Sequence, residues 1–421
     1  RAFVLLALVI ANSSTAKTSV NIGGNVDEMP VPVALLEDKT DELTIADVIS
    51  RESEFIYQQP GSIDLSSSHS AYWGRFEVYN PENSRKSIFL AILPSFVDRF
   101  ELYTRDTPYS YKRLQTGDQI PINQHSSDYR ETVLNFIAPP GKSIYYFKVK
   151  NRNFLSLTLS LFDANSQQKM SRNRTAISSL LIGIFIAMII YNTILWLRSR
   201  SSTFGYYVFY LTSFLFVSVA NTQYAALYFF PDSTGGLFWQ HAPIIGTVCI
   251  GIFSCLFTRS FLNMDRYLPK LSRVLLGVAI FFTCLIPVVP FIENQNIIKL
   301  TYQIFAVPLM IYSGIQIARK GFRPAIFYLI AWSAFIVGIS VWFTMLLGFI
   351  PFKIYLSYAP LYGAALECIL FALAIGDKVF LEQIQSKKEI ESLNNKLYLK
   401  IRKIREQEKS RTIFFNNTSH E

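Results

Sequence analysis

Two hydrophobic periods divide the chain. Between residues 20 and 170, apolar side chains come in short runs that alternate with polar ones. Leu155, Leu157, Leu159 and Leu161 alternate with Ser156, Thr158 and Ser160, and Tyr145, Phe147 and Val149 alternate with Tyr146, Lys148 and Lys150. A period of two places every other side chain on one face, so these runs predict strands with one buried face. Asn80-Pro81, Gly117-Asp118 and Pro139-Pro140-Gly141 punctuate the runs as turns. Many short strands at such spacing predict an all-β sandwich, here read as a jelly roll.

From Ala176 onward the alternation gives way to seven long apolar stretches: Ala176 to Leu197, Phe204 to Ala220, Leu237 to Thr258, Val274 to Ile292, Leu300 to Ile317, Ala325 to Ile350 and Leu356 to Ile375. Only a helix satisfies its own backbone in hydrocarbon, and about 20 apolar residues cross it. A seven-helix transmembrane bundle follows. Basic residues collect after the odd-numbered stretches, at Arg198 and Arg200, at Arg259, Arg266, Lys270 and Arg273, and at Arg319, Lys320 and Arg323. The positive-inside rule then puts the amino-terminal region outside and the carboxy-terminal region in the cytoplasm. Tyr206, Tyr207 and Tyr210 are expected to form an interfacial aromatic group at the start of the second span.

Past Asp377 polarity returns, with Ile390, Leu393, Leu397, Ile401 and Ile404 three or four apart among Lys, Arg and Glu. This stripe predicts a coiled-coil helix that continues the seventh span and joins a parallel homodimer. An amphipathic helix lying on the membrane surface carries the same pattern. At the other end, the apolar run Ala2 to Ala11 and the small polar stretch Asn12 to Ala16 read as part of a signal peptide cleaved after Ala16, or else as a short buried strand. The expected domains are a partial signal peptide at 1–16, an extracytoplasmic sandwich at 17–172, the seven-span domain at 173–376 and a coiled-coil linker at 377–411.

Composition agrees with membrane residence, at 51% hydrophobic and 17% charged residues. The formal charge of +10 is unevenly placed: residues 17–172 are net −2 and residues 173–421 net +11. The excess sits at helix ends and in the tail, where it meets anionic lipid, so the bilayer and not nucleic acid is the expected partner. All four cysteines fall inside predicted spans, which leaves the exported part without disulfides. No cysteine and histidine cluster has metal-ligand spacing, so no metal is expected.

Two places ahead of the carboxy-terminal tail carry candidate chemistry. In the strand Tyr72 to Tyr79, Trp73, Arg75, Glu77 and Tyr79 share one face, opposite Gly74, Phe76 and Val78. Aromatic rings stack on sugars while charged groups meet hydroxyls, so Trp73, Arg75 and Tyr79 are candidate ligand contacts. Arg99 and Tyr103 join them if the strand pairs with Arg99, Glu101 and Tyr103. Ordinary packing, with Trp73 in a core and Arg75 in an ion pair, gives the same pattern. The second place is Glu367, the only acidic residue well inside a predicted span. It is either a coupling or proton-sensitive residue or a structural group satisfied by a partner such as Asn192 or Ser340. The absence of a lysine from the seventh span argues against a retinal Schiff base, and no inverted repeat or paired broken helices point to a transporter.

The final residues, Phe414-Phe415-Asn416-Asn417-Thr418-Ser419-His420-Glu421, follow the predicted coiled coil. They resemble the opening of the H-box of sensor histidine kinases, and residues 412–421 are read as the start of a phosphoacceptor helix. The resemblance implies that His420 accepts a phosphoryl group from ATP and that Glu421 acts as base on its ring. That family continues into Leu-Arg-Thr-Pro and an ATP-binding domain, which this sequence does not contain. No cofactor is therefore expected in this chain, with ATP and Mg²⁺ in the full-length protein and a response regulator as its partner.

A second resemblance covers residues 30 to 380. The Trp73 to Phe76 strand, Asp98 to Tyr103, the turn Thr116 to Asp118, Tyr191-Asn192 and the Phe204 to Tyr207 opening stand in the order found in bacterial seven-transmembrane receptors with diverse intracellular signalling modules. That resemblance implies a small ligand outside, such as a carbohydrate, and a signalling output inside. The expectation is an inner-membrane two-component sensor kinase. A receptor with a cyclase or phosphatase output is the alternative, followed by a transporter or membrane adaptor.

Overall fold

The computed structural model describes residues 19–58, 63–65, 70–93, 97–107, 110–117, 120, 124–126, 132–150, 155–222, 236–292, 296–346, 350 and 353–418. The predicted signal peptide lies outside them, as do His420 and Glu421.

The alternating region forms the strands β1 (Val20–Asn21), β2 (Met29–Pro30), β3 (Ala34–Asp38), β4 (Ile56–Tyr57), β5 (Ile63–Leu65), β6 (Ala71–Asn80), β7 (Lys86–Leu93), β8 (Arg99–Thr107), β9 (Ser110–Thr116), β10 (Val133–Ala138), β11 (Gly141–Lys150) and β12 (Leu155–Phe162). One sheet runs β4-β3-β6-β11-β8-β9, with β1 added to β6 in parallel; the other runs β10-β7-β12-β2, with β5 also on β12. Between them Phe76, Phe100, Phe147 and Val149 face Ile88, Leu90, Ile92, Leu134, Leu157 and Leu159 in a common core. Gly74 is required there. In register opposite Phe147, it leaves room for that ring, which a Cβ would overlap. Phe147 in turn stacks on Phe100 with ring centroids 5.2 Å apart.

The second sheet departs from the one-sided expectation. Leu157, Leu159 and Leu161 enter the sandwich, yet Thr158 and Ser160 are buried as well. The reason is the first long helix, α2 (Ala164–Ser199), which follows the short helix α1 (Ile45–Ser50) in chain order. It begins 12 residues before the predicted span, directly after β12, and lays Met170 against Phe89, Ala91, Val133 and Phe162 on the sheet's outer face. Asp163 caps its amino end, accepting from Ser166 N at 2.8 Å, while its other carboxylate oxygen accepts from Val26 N at 3.0 Å. The sandwich is thus fastened to the helix that enters the bundle.

The helical part continues through α3 (Ser202–Asn221), α4 (Gly236–Phe261), α5 (Met264–Tyr267), α6 (Pro269–Leu285), α7 (Asn296–Thr301), α8 (Val307–Arg319), α9 (Pro324–Leu346), α10 (Ile354–Ser357) and α11 (Ala359–Thr418). Among the described residues four helical stretches are long and apolar enough to cross a membrane, at Ala164–Ser199, Ser202–Asn221, His241–Phe261 and Pro324–Met345. The fourth predicted span is helical only to Leu285, because Pro287 cannot continue the hydrogen-bond ladder; a 3₁₀ turn, Val289–Phe291, follows. The fifth is interrupted by a π-helical turn, Tyr302–Ala306, just ahead of Pro308. The seventh begins at Ala359 and does not stop at Ile375. It runs unbroken to Thr418, 60 residues in one helix.

Candidate functional site

The outer face of the first sheet gathers most of the predicted ligand residues, though not by the predicted pairing. β11 lies between β6 and β8, with Tyr146 opposite both Arg75 and Tyr103, and Lys148 opposite both Trp73 and Glu101. Large rings lean across the intervening strand, so Trp73 and Tyr103 meet with centroids 5.1 Å apart. The Lys148 ammonium sits 5.3 Å from the Trp73 ring, a cation–π contact. Tyr79 is not part of this group. It is partly exposed at the far end of β6, four residues and about 13 Å beyond Arg75 at the rise of a strand.

A lid of chain covers one side of the face. Thr44 and Asp47 form a reciprocal cap that starts α1, and Val48 from that helix, with Phe55 behind it, packs with Ala34, Leu36, Trp73 and Tyr146. Trp73 and Arg75 are consequently buried. Arg75 forms ion pairs with Glu52 and Glu77, both at 2.8 Å. The uncovered side is polar. Glu101, itself buried, accepts from Arg99 at 2.7 Å and from the Tyr103 hydroxyl at 2.6 Å, with Arg113 at 3.5 Å. Burial and the bond to Glu101 push the Tyr103 hydroxyl well above the usual phenol range. Asp41 holds Lys148 and Lys150, each at 2.6 Å. Partial burial acts against its charge, but the two ammonium groups prevail and hold its carboxyl below the usual range.

Half-exposed Arg99 and Arg113 present donors beside the edge of an aromatic pair, the composition of a site for hydroxylated or anionic small molecules. Among the described residues no group of three or more His, Cys, Asp or Glu side chains is placed to hold a metal. The sequence pattern alone does not single out Glu101, Arg113 and Lys148 as contacts. The alternation of β11 had already placed Tyr146 and Lys148 on one face, whereas the approach of Glu52 and α1 depends on a loop that no periodicity reports.

The second candidate, Glu367, is buried in the bundle. Its two carboxylate oxygens each lie 3.0 Å from the Tyr210 hydroxyl, which donates to them. Neither expected partner serves. Asn192 donates to Met188 O in its own helix at 2.8 Å, and Ser340 is exposed on α9. One residue on, the Tyr207 hydroxyl donates to Cys368 O at 2.9 Å. Tyr207 and Tyr210 are therefore interior residues of the bundle rather than an interfacial belt, because their hydroxyls find acceptors on α11. Phe371, one turn further, lies against Tyr207, Phe257 and Tyr328, with centroids 5.7, 5.1 and 5.6 Å away. Helices α3, α4 and α9 together grip one face of α11.

The grip continues at both ends. Toward the sandwich, Arg174 Nε of α2 donates to the Tyr358 hydroxyl at 3.4 Å, and Leu181 packs with Tyr358 and Ala365. At the other end Lys378 is buried, with its ammonium 3.1 Å from Ser260 O and 5.4 Å from the Phe261 ring centre.

An all-β domain fastened to a bundle of apolar helices defines a membrane protein with a domain outside the bilayer. Residues 32–163 match the family model of the 7TMR-DISM extracellular domain 2, and residues 174–378 match that of the 7TM domain with diverse intracellular signalling. The two matches stand in this order and between them span most of the chain; they support a 7TMR-DISM receptor, a transmembrane signalling protein. No curated protein matches the chain.

Proposed function

We propose that this chain is the sensing and membrane part of a two-component histidine kinase of the bacterial inner membrane, with the sandwich outside, seven helical spans, and His420 as phosphoacceptor beside Glu421 as base. The observation that carries this reading is α11 itself, which starts inside the bundle and runs without a break to the residue before Ser419-His420-Glu421. A neutral imidazole attacks through one ring nitrogen while a carboxylate takes the proton from the other. ATP with Mg²⁺ would supply the phosphoryl group in the full-length protein, and a response regulator would receive it.

The ligand is a small hydroxylated or anionic molecule, a carbohydrate among them, held at the polar edge of the first sheet by Arg99, Arg113 and Tyr103. Its binding moves the sandwich, and α2 carries that movement, because Met170 is packed on the sheet, Arg174 bonds Tyr358 just ahead of α11, and Leu181 packs on Ala365 within it. A shift in α11 is then delivered along one rigid element to a homodimeric output helix.

Incubating membranes that contain the full-length receptor with γ-labelled ATP tests the output. Acid-labile label that disappears in His420→Gln is the expected result. Label unchanged in that variant, or no label in either, would overturn the kinase and leave a receptor with another output.

A further inference from the structure

Beyond the bundle, α11 leaves apolar side chains open around its surface, and five of them fall on one face, with Tyr398 and Leu399 off it. Ile390, Leu393, Leu397, Ile401 and Ile404 are 56, 58, 56, 43 and 55% exposed. At about 100° per residue they share an arc of roughly 80°, a narrow stripe. Their spacing is three, four, four and three. A strict heptad alternates three and four, which would bring Lys400 into the seam and leave Ile401 outside it. The sequence instead completes an eleven-residue step between Ile390 and Ile401, about 3.67 residues per turn, for which no left-handed supercoil is needed.

What covers the stripe follows from the helix that bears it. Because α11 has no break between Ala359 and Thr418, the stripe projects away from the bundle along the direction of the span. Lying on the lipid surface would require a bend that the helix does not have. A second copy anchored in the same membrane emerges in the same direction and at the same height, and it presents the identical stripe. Charge then selects the register. In a parallel heptad two Lys400 ammonium groups would confront each other across the seam, whereas the eleven-residue step sets Ile401 there and leaves Lys400 toward water.

We propose that residues 390–404 pair with the same residues of a second copy in this eleven-residue register, with Ile401 and not Lys400 at the seam. The proposal rests on the homodimer reading above and specifies its contacts. Single cysteines at Leu397, Lys400, Ile401 and Leu399, the last on the opposite face, are introduced into the full chain and oxidised in inverted membrane vesicles. The unsubstituted chain gives the background from its four native cysteines.

Leu397→Cys and Ile401→Cys should form disulfide-linked dimers several-fold more than Lys400→Cys, with Leu399→Cys at background. Strong cross-linking of Lys400→Cys with little from Ile401→Cys would overturn the register while the dimer stands. No dimer above background at any position would overturn both.

Discussion

The Tyr210 hydroxyl is the hydrogen-bond donor to Glu367, equidistant at 3.0 Å from both carboxylate oxygens. Among the described residues no Lys, Arg or His side chain forms an ion pair with that carboxyl group. A buried acceptor deprived of its donor costs about 1–3 kcal/mol. Tyr210→Phe should therefore destabilise the purified receptor by that amount, whereas Glu367→Gln, which keeps an oxygen for the tyrosine to donate to, should cost less. Thermal unfolding of both variants and of the double variant in detergent gives the coupling. Additive losses would show that the two residues do not depend on each other.

Asp163 joins the two domains, and its loss should be felt by both. It caps α2 through Ser166 N and also accepts from Val26 N, a fully buried residue of the sandwich. Removing the cap costs about 1 kcal/mol, and an unpaired buried N–H adds about as much again. Asp163→Ala should thus lower stability by roughly 2 kcal/mol, and Asp163→Asn by less. Burial acts against its charge, but the hydrogen bonds from Ser166 and Val26 hold the Asp163 carboxyl below its ordinary value. Stability from this carboxylate is therefore complete above about pH 4 and is lost as pH falls through the depressed native value. Unfolding of the wild type and Asp163→Asn between pH 2 and 6 checks the sign, since the difference between them should shrink toward the acid end.

How far this architecture is legible from the sequence depends on what each signal reports. Period two separates Phe76 and Phe147 from Trp73, Arg75 and Tyr146 by face, as observed, but does not say which of the two faces is the sandwich core. Nor does it say what covers the other face, and α1 closes over Trp73 from a segment with no alternation of its own. Hydropathy marks the membrane region from Ala176, yet it is silent about Ala164 to Thr175, where a polar helix is held by Asp163 and by Met170 packing. The lone carboxylate in an apolar run identifies Glu367, but its partner comes from a helix more than 150 positions away. Tyr210 reads as interfacial from its place near a span's start, but that place says nothing of which way the side chain faces.

Helices α9 and α11 approach so closely that their glycines face one another. A Cβ on Gly338 would overlap the carbonyl oxygen of Ala359, and one on Gly363 would come within 2.8 Å of Ala334 O and 3.3 Å of Gly338 Cα. Backbone cannot rotate away as a side chain can, so the helices must separate. Gly338→Ala should destabilise the bundle by about 1–3 kcal/mol, the usual cost of overpacking. Gly277→Ala in α6 is the control, because nothing lies within 4 Å of the added methyl group. It should be neutral or stabilising by up to about 1 kcal/mol through helix propensity. Equal effects in the two variants would remove the close approach as the explanation.

Lys378 decides where α11 stops belonging to the bundle. Its ammonium donates to Ser260 O at the end of α4 and approaches Asn263 Oδ1 at 3.5 Å, where Asn263 holds a left-handed backbone with φ of +49°. The ammonium also lies over the Phe261 ring, 5.4 Å from its centre, a cation–π contact that adds to the hydrogen bond. Lys378→Met keeps the stem and removes the donor. A hydrogen bond from a charged group contributes about 1.5–3 kcal/mol, so local opening of α11 just past Ile375 should become roughly 10- to 100-fold more favourable. Hydrogen exchange of residues 376–385 in detergent-solubilised protein reads this directly, with the sandwich strands as an internal reference. If those amides exchange no faster in Lys378→Met, α11 is held at that level by the packing of Phe371, Ala374 and Ile375, and a signal reaching the tail need not loosen the lysine contact.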